Sequence, residues 1–97
     1  MPYFKVLLDA QNFLISLNEK EELMGFFTTK WVEAANEEEA ELKAVDLIKN
    51  DKELVDIVLN KERGLEIVPM IYLEEINEIS KSEMEDIQGR TWYKMKE

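Results

Sequence analysis

No Cys and no His occurs among the 97 residues, so any chemistry has to come from hydroxyls, carboxylates, amines and aromatic rings. Disulfides, thiolate nucleophiles, Ser-His triads, imidazole acid–base catalysis and ordinary zinc or haem ligation are therefore excluded. Three clusters remain. The first is Gly25-Phe26-Phe27-Thr28-Thr29-Lys30-Trp31-Val32-Glu33-Ala34. On strand periodicity Phe27, Thr29 and Trp31 share one face, while Phe26, Thr28, Lys30 and Val32 share the other. Trp31 then supplies flat apolar area and Thr29 a hydrogen bond to a bound molecule. The same alternation also suits a central strand covered on both sides.

The second cluster, Gly89-Arg90-Thr91-Trp92-Tyr93, places two large aromatics together near the end of the chain. Trp92 and Tyr93 have two readings, a recognition pair or an anchor that docks the tail on the sheet. The third is acidic: Glu37, Glu38, Glu39 and Glu41, then Glu74, Glu75 and Glu78, then Glu83, Glu85 and Asp86. Carboxylates hold Mg²⁺ or Ca²⁺, but calcium-loop spacing and a phosphate-cradling glycine loop are both missing. A solvated face accounts for these residues, because Glu is favoured in a first helical turn and Glu39 can pair with Lys43 four residues on. The alternative is a charge mimic whose spaced carboxylates imitate a phosphate backbone and occupy a nucleic-acid-binding protein. The candidate interaction patch is thus Thr29, Trp31, Trp92 and Tyr93, and no catalytic residue, metal ligand or cofactor is expected.

The charge balance narrows the partners. With 22 Asp and Glu against 12 Lys and Arg, the net charge is −10, which disfavours direct binding to nucleic acid and to anionic lipid surfaces. No apolar run approaches the roughly 20 residues of a membrane span, and the N-terminus lacks a basic stretch leading into an apolar one. The expectation is one cytoplasmic domain over residues 1–97, with 80–97 as a docked tail. A protein partner or a second copy is the expected binding mate.

The elements that must position these clusters follow from periodicity. Phe4, Val6 and Leu8 alternate with Tyr3, Lys5 and Leu7, so Tyr3 to Leu8 is a strand whose even positions face the core. Asp9 to Asn12 is a turn or bulge, after which Phe13, Ile15 and Leu17 resume as a kinked continuation or a second strand. Asn18 to Glu22 is a polar turn, and Leu23 to Ala34 returns as the partner of a hairpin. Asn36 followed by three glutamates marks a helix start, with Glu39 placed as in a capping box. At 100° per residue Ala40, Ala44, Leu47 and Ile48 form its apolar stripe. Asn50-Asp51 ends that helix and caps a further turn near Lys52 to Leu54; residues 52–59 read either as a short strand or as a helix.

Lys61 to Gly64 is a charged turn, and Ile67 to Ile76 a strand with Pro69 at its start or on an edge, with Met70, Ile71, Tyr72 and Leu73 as its core. Ser82 to Glu85 has capping-box spacing for a short helix over 83–88, stopped by Gly89, before a last strand, Thr91 to Met95. The order β-β-α-β-β, with a late short helix and strand to follow, predicts an α+β fold, one mainly antiparallel sheet with one principal amphipathic helix packed on one face.

Gly25-Phe26-Phe27-Thr28-Thr29-Lys30, Val32-x-Ala34, the acidic helix start, Leu73-Glu74-Glu75-Ile76 and Gly89-x-Thr91-Trp92-Tyr93 together resemble a group of small stand-alone bacterial proteins of about this length. The group has Arg followed by Phe or a similar residue where this chain has Lys30-Trp31. The resemblance implies a common fold and carries no activity, cofactor or partner. The expected function is that of a small non-catalytic protein-interaction module, acting through a sheet edge or an aromatic patch.

Overall fold

The computed structural model describes residues 1–17, 20–57, 69–85 and 89–95. The chain runs β1 (Tyr3–Leu17), β2 (Lys20–Glu33), α1 (Glu37–Lys49), α2 (Lys52–Ile57), β3 (Met70–Ile79), a short 3₁₀ turn (Lys81–Glu83) and β4 (Thr91–Lys94). The four strands form one antiparallel sheet in the order β3-β1-β2-β4, and α1 lies across one face of it. This is the expected α+β architecture.

β1 is a single strand with a bulge. Three steps along it, Ala10 to Phe13, face two steps along β2, Phe26 to Met24. Asn12 absorbs the extra residue with φ of 63°, a left-handed conformation that Asn adopts more readily than most side chains. The bulge shifts the alternation by one, so Phe4, Val6, Leu8 and Ala10 before it and Phe13 and Ile15 after it all face α1 and are buried. Met24, Phe26 and Val32 of β2 join the same core.

α1 starts where the sequence places it. The Asn36 side chain accepts a hydrogen bond from the Glu39 backbone N–H at 2.9 Å, and Glu39 pairs with Lys43 at 3.0 Å. Ala40, Ala44 and Ile48 are buried, the two alanines letting the helix approach the sheet closely. Leu47 departs from the expected stripe: it is 49% exposed. The buried row follows residues four apart and so drifts about 40° at each step. By the last turn the core-facing sector is centred on Ile48, with Val45 packed beside it, which leaves Leu47 on the opposite flank of the helix near Val32.

Asp51 caps α2, its Oδ1 accepting from the Glu53 N–H at 3.0 Å. Residues 52–57 are therefore helical, and the strand reading of that stretch is set aside; residues 58 and 59, like the Lys61–Gly64 turn, lie outside the described residues. β3 begins directly after Pro69 and is an edge strand, as a proline at its head allows. Its residues 70–73 do not form a core. Met70, Tyr72 and Leu73 are exposed, and only Ile71 and Ile76 pack against the buried cluster, because β3 occupies the margin of the sheet. The capping arrangement expected at Ser82 and Glu85 forms two residues earlier: the Ser80 N–H and hydroxyl donate to Glu83 Oε1 at 3.0 and 2.8 Å. The turn it closes spans Lys81–Glu83, and residues 86–88 of the expected helix are not among those described.

Candidate functional site

The face of the sheet opposite α1 carries Leu7 of β1 and Phe27, Thr29 and Trp31 of β2, with Tyr93 of β4 beside them. Phe27 is 41% exposed, and Thr29, Trp31 and Leu7 are partly exposed. Among the described residues no helix covers this face. An open cavity of about 380 Å³ is lined by Leu7, Phe27, Thr29 and Trp31 together with Arg90 and Thr91. A second hollow of about 200 Å³, lined by Lys5, Leu7, Thr29, Glu75 and Asn77, continues it towards β3.

Tyr93 is held on this face by a partner that sequence reasoning did not single out. Its ring lies over Gly25, 5.3 Å from the Phe27 ring, and its hydroxyl donates to Asp9 on β1. Asp9 is only 6% exposed, and its other oxygen accepts from Gln11 Nε2 at 2.7 Å. Burial, the hydrogen bond to Asp9 and the negative charge of Asp9 push the Tyr93 phenol up to about 12. One side chain thus ties β4 across β2 to β1. The signal in the sequence was Gly25: a glycine inside a strand often marks the close approach of another group.

Trp92 points the other way. It pairs with Phe26, ring centroids 4.9 Å apart, on the α1 side, and packs against the core cluster. The Arg90 guanidinium stands 5.5 Å from the Phe26 ring centre and 5.9 Å from that of Trp92. It is also paired with Asp51 at the junction between α1 and α2. Lys30, 8% exposed, sits in the same neighbourhood; burial lowers its pKa, the Asp51 charge opposes that shift and Arg90 adds to it. The Thr28 hydroxyl donates to the Gly89 carbonyl at 2.6 Å, fixing the chain as it enters β4.

Of the four candidate residues, the fold therefore brings Thr29, Trp31 and Tyr93 to one face and separates Trp92 from them. Adjacent residues of a strand point to opposite faces, so Trp92 and Tyr93 cannot act together on a single flat ligand. The acidic residues are dispersed: Glu37 and Glu38 are exposed at the start of α1, while Glu74, Glu75 and Glu78 are exposed along β3. Among the described residues no cluster of carboxylates has the arrangement of a metal site, and no helix is long and apolar enough to cross a membrane. No protein-family model, no curated protein and no solved structure matches the chain.

Proposed function

We propose that the protein is a small non-catalytic interaction module that binds a protein partner through the uncovered side of β2. The observation that carries this reading is the open face on which Phe27, Thr29 and Trp31 border a cavity of about 380 Å³. Aromatic side chains combined with a hydroxyl and flanked by a cavity are the composition of a recognition surface, and large rings there contribute disproportionately to affinity. Trp31 is the principal contact, Thr29 the hydrogen-bonding group and Tyr93 the wall that keeps the surface flat. Trp92 anchors the tail.

The test is affinity capture from a lysate of the native host, with the wild type and Trp31→Lys as parallel baits at matched amounts. The reading requires a defined protein captured by the wild type and lost with the variant, while circular dichroism shows both folded. Equal capture by both baits refutes it. A second reading, an acidic mimic of nucleic acid, is favoured by the net charge of −10 and the exposed Glu37 and Glu38. It requires instead a nucleic-acid-binding protein whose capture fails at raised salt and survives Trp31→Lys.

A further inference from the structure

The outer edge of β2, between the start of β4 at Thr91 and the start of α1, has an open cavity on each side. In an antiparallel sheet the backbone groups of successive residues address the two neighbouring strands alternately. The Ala34 N–H donates to the Pro2 carbonyl on the β1 side, and the Leu23 carbonyl accepts from the Met95 N–H on the β4 side. Even positions of β2 therefore address β1, and odd positions address the outer edge. β4 uses that edge only as far as Phe27.

Thr29, Trp31 and Glu33 come next, and among the described residues no strand pairs with them there. The Glu33 carbonyl accepts from Lys43 Nζ at 2.7 Å. Among the described residues, no backbone partner takes the N–H and C=O of Thr29 and Trp31 or the N–H of Glu33, which leaves them for a new strand. On the open face this edge is bordered by the cavity beside Phe27, Thr29 and Trp31. On the α1 face a cavity of about 350 Å³ is lined by Val32, Glu33, Lys43, Asp46, Leu47 and Asn50. The exposed Leu47 stands over this second cavity. An added strand sends alternate side chains to the two faces, so each cavity receives every second residue. The edge formed by β3 differs: Glu74, Glu75 and Glu78 lie along it and a register shift interrupts its ladder, both of which discourage strand addition.

We propose that the β2 edge from Thr29 to Glu33 is a strand-addition site, and that its occupant is an extended segment of a partner protein with apolar side chains in the two cavities and Lys or Arg at its ends. Charge decides between occupants. Glu33 and Asp46 beside the edge are matched by Lys43 and Arg90, so the selecting charge is that of the whole chain, −10. A second copy would bring another −10, whereas a basic segment is drawn in and oriented. The proposal rests on the interaction reading above and adds the binding mode and the chemistry of the partner.

The probe is a synthetic peptide, acetylated and amidated, with the sequence Lys-Lys-Val-Leu-Val-Leu-Val-Lys-Lys, whose valines face one cavity and leucines the other, titrated into isotope-labelled protein at about 0.15 M salt. The expected result is amide shifts and slowed hydrogen exchange centred on Thr29, Trp31 and Glu33. Affinity should fall at least about tenfold when Glu replaces the four lysines, and binding should vanish when Pro replaces the central Val. No binding up to about 1 mM, equal affinity for the lysine and glutamate peptides, or shifts that avoid the edge would each overturn the proposal. If capture of a partner remains sensitive to Trp31→Lys in those cases, the interaction reading stands and only the edge mode fails. Sedimentation of the protein alone supplies the rival outcome. A dimer dissolved by Thr29→Pro, which removes an outward N–H and none of the bonds to β1, or by Leu47→Lys, would make a second copy the occupant and overturn the proposal.

Discussion

Replacing Gly25 by Ala should destabilise the protein, and the same replacement should lose that effect once the Tyr93 ring is gone. A Cβ at position 25 would lie 2.7 Å from Tyr93 Cε1 and closer still to the end of the ring. The ring cannot yield freely, because its hydroxyl is bonded to Asp9 and its face to Phe27. Displacing it removes a hydrogen bond to a buried carboxylate, about 1.5–3 kcal/mol, and an aromatic pair, about 0.5–1.5 kcal/mol. Relieving the backbone freedom of glycine returns about 0.5–1 kcal/mol, so the net loss is about 1–4 kcal/mol. The assay is urea denaturation of the wild type, Gly25→Ala, Tyr93→Ala and the double variant. In the Tyr93→Ala background Gly25→Ala should be neutral or stabilising. An equal loss in both backgrounds would show that Gly25 is not there to accommodate the ring, and the account of the tie between β4 and β1 would fall.

Ile48→Ala should cost about 2–4 kcal/mol in the same assay and Leu47→Ala less than about 1 kcal/mol, since the first is 2% and the second 49% exposed. Reversed values would mean that α1 is rotated. Asn36→Ala should cost about 1 kcal/mol through loss of the cap on the Glu39 N–H, and Asn36→Asp should leave stability nearly unchanged. Tyr93 is held neutral in the fold, so its stabilising contribution is complete below the ordinary phenol pKa near 10 and is lost as pH rises towards about 12. Ultraviolet titration of the wild type and Tyr93→Phe should assign a phenol at about 12 to Tyr93, and Asp9→Asn should lower it; a Tyr93 phenol at its ordinary value would refute the buried tie.

The hairpin and the helix start were legible because each rests on local chemistry: alternation in Tyr3–Leu8, a side-chain acceptor at Asn36, glutamates in the first turn of α1. Two kinds of information were not local. Alternation shows that Met70 and Tyr72 share a strand with Leu73, but not that the strand lies at the sheet margin, where little covers it. An apolar stripe drawn at fixed angle includes Leu47, whereas the contact row of a packed helix drifts with each turn. The site was legible in part. Both aromatic clusters were visible as residue types, and alternation already placed Thr29 with Trp31. That Tyr93 joins them while Trp92 turns to the core depends on the register Gly25↔Tyr93, a pairing set 68 residues apart in the chain. The links of Asp9 to Tyr93 and of Asp51 to Arg90 are likewise long-range, with no short motif to announce them.

The central claim is that Trp31 belongs to a binding surface and Trp92 to the framework. It is tested most directly by measuring thermal stability and partner association together for Trp31→Ala and Trp92→Ala. The account predicts that Trp31→Ala melts close to the wild type and weakens association by about 2 kcal/mol or more, as central aromatics of an interface do. It predicts that Trp92→Ala lowers stability through lost packing on Phe26 and Arg90. Unchanged association in Trp31→Ala, with the protein folded, would contradict it.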